Sequence, residues 1–97
     1  MRKKPTGQTF ASVWDALEDT REAAANMRLR AELMMEIQRY VAASGLTQGG
    51  AARRLGVTQP RLNDLLRGRI DKFSLDALVI MLARAGRQVA VKVRKAA

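Results

Sequence analysis

Apolar residues recur at helical spacing through most of this chain, and near its end the period changes. Phe10, Val13, Trp14 and Leu17 fall at i, i+3, i+4 and i+7, one face of a short helix. That helix is expected to lie as a lid on the protein's own core. Asp19-Thr20-Arg21-Glu22 sets an acidic residue three positions before a glutamate, a variant capping box that predicts the start of a second helix. This helix extends to about Ser44 on a stripe of Leu29, Leu33, Ile37, Tyr40 and Val41, with Gly45 as its left-handed end. Arg28 with Glu32, and Glu36 with Arg39, stand where outer-face pairs form at small gain. Two short helices follow. One spans Thr47 to Leu55, capped by Thr47 and stopped by Gly56; the next is capped by Thr58 or Gln59 and continues to about Arg67. Pro60 sits in its first turn, where a missing N–H costs little, and Gly68 closes it. Ser74 caps a last helix with the stripe Leu75, Leu78, Leu82 and Ala85, ended by Gly86. Then Val89, Val91 and Val93 alternate with Gln88, Ala90, Lys92 and Arg94, and a spacing of two predicts a strand.

These elements describe a mainly all-α chain of five helices and one C-terminal β-strand. Its expected core is Leu29, Leu33, Ile37 and Val41 with Leu75, Leu78 and Leu82, and Met34, Met35 and Met81 are expected as filler. At 97 residues the chain is long enough for one small domain and too short for two. Residues 1–9 carry Arg2, Lys3, Lys4, Pro5 and Gly7 and are expected to form a flexible basic arm. Residues 10–87 form the domain, and residues 88–97 form a strand and tail.

Composition narrows the chemistry. There is no Cys and no His, which excludes zinc sites built on them, thiol nucleophiles and every triad that needs imidazole. No tight carboxylate cluster remains to carry catalysis. We therefore expect no enzyme activity, no catalytic residues, no metal and no cofactor. The lack of cysteine suits a cytoplasmic protein. The longest apolar run near the N-terminus is Phe10-Ala11, so neither a secretory leader nor a membrane span is expected.

Charge then points to a partner. The chain carries 18 Lys+Arg against 9 Asp+Glu, a net charge of +9. Residues 10–36 are net −3, whereas residues 53–97 set eleven bases against Asp64, Asp71 and Asp76 and are net +8. One end seeks a polyanion, and the other is mildly acidic.

The segment from Gln48 to Arg67 places two short helices around a glycine turn. Tight crossing needs a small residue at the contact, and Ala52 supplies it. The turn needs tolerance of positive φ, supplied by Gly56. Leu62, Leu65 and Leu66 bury the second helix on the first, while Leu55 and Val57 fill the angle between them. This is the helix-turn-helix pattern.

The residues Leu46-Thr47-Gln48, Ala52, Leu55-Gly56-Val57-Thr58-Gln59, Leu62, Leu65 and Gly68 resemble the Cro/repressor-type (XRE) helix-turn-helix family over about residues 28–86. The stretch from Gly56 to Gly68, the segment Phe73-Ser74-Leu75-Asp76-Ala77-Leu78 and the region Phe10–Glu36, including Glu22-Ala23-Ala24-Ala25-Asn26-Met27, resemble the HigA-like antitoxins. Gly49 and Gly50 depart from the family, which usually has a glutamate or another helix former there. At about 1 kcal/mol for each glycine, the first helix of the motif is expected to be short or loosely held.

The resemblance implies a lambda-repressor-like domain that represses transcription by binding an inverted-repeat operator in double-stranded DNA. It also implies an antitoxin that neutralises a RelE/HigB-like ribonuclease and autoregulates its operon. In this motif the second helix enters the major groove. The expected base contacts are Thr58, Gln59, Pro60, Arg61 and Asp64. Gln59 suits adenine, Arg61 suits guanine, and Asp64 suits a cytosine amino group or an ion pair with Arg61. Asn63 is expected to be an exposed helix residue. The expected phosphate contacts are Gln48, Arg53, Arg54, Arg67, Arg69 and Lys72, with Gln48 also bracing Gln59.

A lone strand leaves its backbone unpaired, so Val89, Val91 and Val93 are expected to pack on the helices while two strands pair antiparallel in a homodimer. A small basic toxin is expected to dock on the acidic residues 10–36, at Trp14, Asp15 and Glu18. Two other readings are a stand-alone phage-type regulator without a toxin and a basic RNA-binding protein. The latter is disfavoured by the scarcity of aromatic residues on which bases stack.

Overall fold

The structure is a computed structural model that describes residues 20–95. Among these residues are four α-helices: α1 (Arg21–Ser44), α2 (Gln48–Leu55), α3 (Gln59–Leu66) and α4 (Leu75–Arg84). One 3-10 turn, Ile70–Lys72, lies between α3 and α4. The expected helix at Phe10–Leu17, the basic arm and the lid role lie outside the described residues, so a five-helix count is not supported.

Each α-helix begins on a hydroxyl. The side chains of Thr20, Thr47, Thr58 and Ser74 accept from the backbone N–H groups of Ala23, Gly50, Arg61 and Ala77. Such caps satisfy otherwise orphaned donors at about 1 kcal/mol each. The first cap is thus Thr20, one residue beyond the acidic residue of the predicted box. The third is Thr58, and Gln59 is helical although it precedes proline. The two glycines do not break α2, which spans Gln48 to Leu55 without interruption. A Cβ on Gly50 would lie only 3.3 Å from the Thr47 hydroxyl oxygen, so glycine there leaves the cap its room. Gly56 ends α2 at φ 75°, and the Arg84 side chain lies across it, 2.7 Å from where a Cβ would stand.

The core joins all four helices. Met34 and Ile37 of α1 meet Ala51, Ala52 and Leu55 of α2, Leu62 and Leu65 of α3, Phe73, and Leu78, Met81 and Leu82 of α4. Leu33, Tyr40 and Val41 pack at its margin. Helix α1 lies along α4, and α2 packs against α3. Leu29, expected in the core, is 51% exposed. At about 100° per residue the packed side of α1 runs through Arg30, Met34 and Ile37, and Leu29 lies about 80° or more from each of them, so the half-buried Arg30 takes the inward place at this level. Met35 is exposed as well, because it sits one position off the buried Met34 stripe. Of the two predicted outer-face pairs, Glu36–Arg39 forms and Arg28–Glu32 does not.

The predicted strand at 88–94 is absent: no residue from 87 to 95 joins a ladder. A strand needs a second extended segment to share its hydrogen bonds, and the described residues of one chain offer none. Of the three valines expected on the helices, only Val89 packs at the core's edge. Val91 and Val93 are 81% and 88% exposed. Among the described residues, no helix is long and apolar enough to cross a membrane.

Candidate nucleic-acid interface

Leu62 and Leu65 bury one face of α3, and the opposite face is therefore set by helical geometry. At about 100° per residue, Pro60, Asn63 and Asp64 cluster opposite those leucines, and Gln59 flanks them. Thr58, Gln59, Pro60 and Arg61 are exposed at the helix start, while Asn63 and Asp64 are half-buried. Asn63, expected to be an exposed bystander, thus belongs to this outer face. The spacing of Asn63 from Leu62 and Leu65 encodes that placement.

Arg61 lies on the flank of α3. Its guanidinium sits over the Phe73 ring, 4.4 Å from the centroid, and its Nη1 donates to the Lys72 carbonyl at 3.4 Å. Stacking on a ring face favours a cation, and it fixes the arginine without a carboxylate. Asp64 does not pair with Arg61. Its two oxygens instead face Arg69 Nε and Lys72 Nζ, each at 3.8 Å. Gln48 makes no hydrogen bond to Gln59. The Gln59 amide lies over Gly49, where an added Cβ would come within 3.9 Å of Nε2.

The two adjacent arginines of α2 separate by the same geometry. Arg53 follows Gly49 by four residues and lies about 40° from it, on the side where Gln59 rests. Arg54 lies about 140° from Gly49 and donates to the Tyr40 hydroxyl at 3.1 Å. Arg87 stands over the ring of the same tyrosine, 5.5 Å from its centroid. Arg54 therefore belongs to a different face from the other candidate phosphate contacts. Arg67, Arg69 and Lys72 are exposed around the turn that follows α3.

Two polar residues of α1 hold this surface in place. Gln38 Nε2 donates to the Leu65 carbonyl at 2.9 Å, tying α1 to the end of α3. Arg30 is half-buried; its Nη1 donates to the carbonyls of Ile70 at 3.2 Å and Phe73 at 3.4 Å, and its Nε to Asn26 Oδ1 at 2.8 Å. Neither role was foreseen, because a polar side chain beside an apolar stripe gives no sign of the distant carbonyl it will meet. Of the other expected sites, Val89 is half-buried and Val91 and Val93 are exposed, whereas Trp14, Asp15 and Glu18 lie outside the described residues. No group of acidic residues able to hold a metal ion occurs among the described residues.

Comparison with known proteins agrees with this geometry. A family model described as a helix-turn-helix domain matches residues 16–94. A solved structure that carries the description XRE family transcriptional regulator is similar at a TM-score of 0.70 and 26% identity, covering 76% of this chain and 83% of that one. No curated relative matches the sequence.

Proposed function

The chain belongs to the helix-turn-helix domain family, and from that premise we propose that it is a DNA-binding transcriptional regulator that presents α3 to the major groove. The observation that carries this reading is the pairing of a braced helix with a basic rim. Gln59, Pro60, Asn63 and Asp64 lie on the outer face of α3, and Arg53, Arg67, Arg69 and Lys72 surround it. Side chains of the first kind suit base edges, and those of the second kind suit phosphates. Thr58 serves first as the cap of α3, and Gln48 at the start of α2 takes a backbone phosphate. Titrating duplex DNA and RNA of equal length in mobility shift tests the reading. Duplex DNA binds tighter, and log K falls with log salt at a slope of about −7 if a dimer covers some eight phosphates. Preference for RNA overturns it.

The regulator acts as a homodimeric repressor. Val79, Ile80, Val91 and Val93 are exposed apolar residues on α4 and the tail, a surface that a second copy would cover. The segment 88–94 then gains the strand partner that the described residues of one chain lack. Two copies of α3 related by a two-fold axis match an inverted repeat with half-sites about 34 Å apart.

The same protein is the antitoxin of a toxin–antitoxin pair and regulates its own operon. What supports this reading is the outer side of α1, where Glu22, Glu32 and Glu36, the last paired with Arg39, surround the half-exposed Leu29. An acidic face with an apolar centre suits a basic, RNA-cutting toxin of the RelE/HigB type. In sequence, Asp15 and Glu18 extend that charge and Trp14 adds an apolar residue. The double variant Asp15→Lys with Glu18→Lys tests it: toxin affinity at low salt drops more than tenfold, and full affinity sinks the acidic-face proposal.

A further inference from the structure

Asp64 is the acidic residue of α3, and its neighbours are set by the backbone. Gly68 adopts φ 78°, in the left-handed region. Its N–H donates to the Leu65 carbonyl at 3.0 Å, and the Arg69 N–H donates to the Asp64 carbonyl at 3.1 Å. This double bond pattern turns the chain back beneath the helix end. The Lys72 N–H then donates to the Arg69 carbonyl at 3.1 Å, bringing Lys72 to the same place. The Asp64 carboxylate, 28% exposed, so meets Arg69 Nε and Lys72 Nζ on either side. Arg61, one turn earlier, is turned away onto Phe73 and does not compete for it.

This arrangement puts a negative charge where a polyanion is to be bound, and sets it against two of the rim's own cations. We propose that Asp64 is a specificity-determining residue that couples base reading to phosphate grip. Its carboxylate holds Arg69 and Lys72 until an amino group on a base edge takes their place. The inference rests on the DNA-binding reading above. In the major groove only cytosine N4 and adenine N6 present amino donors. On a sequence with such a donor opposite Asp64, the carboxylate has a partner, and both cations pass to phosphates. On any other sequence, Asp64 either keeps its cations or is left unpaired in the groove, and binding weakens in both cases. Each base pair carries one such donor, on one strand or the other, so a site that places it out of reach of Asp64 meets two fewer available charges per protomer than the cognate site does.

The test uses the full chain and two duplexes: one selected by the wild-type protein from a randomised pool, and a scrambled one of equal composition. Preference of the wild type for the first duplex tests DNA reading itself; if it binds no duplex, that reading and this inference both fall. Asp64→Asn keeps the shape and removes the charge. It should bind the scrambled duplex about three- to tenfold tighter, the worth of two exposed ion pairs. Its salt slope on that duplex should steepen by about 2 per protomer, or about 4 for the dimer, as each protomer gains two phosphates. The ratio of selected to scrambled affinity should fall about tenfold or more. Adding Arg69→Gln and Lys72→Gln should abolish the gain on scrambled DNA. A gain that persists in that triple variant, or an equal gain on both duplexes, would show that Asp64 acts only through net charge and overturns the proposal. Unchanged affinity of Asp64→Asn for the scrambled duplex overturns it as well.

Discussion

Residues 48–67 and residues 87–95 both carry a regular apolar pattern, yet only the first becomes regular structure within one chain. In the α2–turn–α3 block, Ala51, Ala52, Leu55, Leu62 and Leu65 are all buried. Helices satisfy their own backbone, so each needs only one face covered, and each of the two covers the other. In the tail, the valine alternation is as clear, but a strand's hydrogen bonds lie between segments. Val89 reaches the core's edge, and Val91 and Val93 stay in solvent. The lesson is that periodicity announces which face will be buried, while the hydrogen-bonding pattern decides whether the chain can bury it alone.

The largest effect that would break this comparison lies in the motif. Leu62 is completely buried, and Leu62→Ala should cost about 2–5 kcal/mol in denaturant unfolding, with DNA binding lost alongside. A loss under about 1 kcal/mol would mean the block is no better packed than the tail. In the tail, Val91→Lys with Val93→Lys should barely shift the unfolding midpoint of dilute protein, yet raise the dimer Kd more than tenfold in sedimentation equilibrium. Unchanged dimerisation would show that the tail's valines have no partner in a second copy.

Smaller effects sharpen the picture at the interface. Arg30→Ala strands the Phe73 carbonyl and leaves the Ile70 carbonyl with the Phe73 N–H alone, and it should cost about 1–3 kcal/mol. Its DNA affinity should fall further than stability alone explains, since the loop holding Arg69 and Lys72 loosens. Arg61→Ala should cost about 1–3 kcal/mol of discrimination at one base pair per half-site if Arg61 leaves Phe73 to read guanine. Equal losses on selected and scrambled DNA would instead mark it as a phosphate contact. The smallest change expected is Gly49→Ala. An added Cβ meets only ordinary contact with Gln59, and removing glycine from the first turn should stabilise α2 by less than about 1 kcal/mol, the figure for a helix interior.

Much of the fold was legible in the residue order. The hydroxyl caps at Thr47 and Ser74, the glycine stops at Gly45, Gly56 and Gly68 and the stripe through Ile37, Leu62 and Leu78 follow from local rules of capping, φ and helical spacing, whereas the first cap falls on Thr20 instead of the expected Asp19. The errors share one cause. Leu29 continues the stripe of α1 by period but not by contact, because Arg30, bonded to the Ile70 and Phe73 carbonyls, takes the inward place at that level. Asp64 and Arg61 are spaced for an ion pair, but the turn at Gly68 brings Arg69 and Lys72 to Asp64 and sets Phe73 under Arg61. Arg53 and Arg54 are adjacent and chemically alike, and only the rotation of α2 against α1 and α3 assigns them to different faces.

The sequence by itself thus determined the helices, their ends and the helix-turn-helix block, since each rests on interactions within a few residues. It also determined the sign of the partner, because net charge does not depend on the fold. The tertiary structure alone decided which cations surround α3, which carbonyls Arg30 and Gln38 hold, and that the C-terminal valines find no ladder in one chain. Those contacts join residues as many as 43 apart in sequence, as from Arg30 to Phe73, and no local spacing encodes a meeting that depends on how whole helices pack.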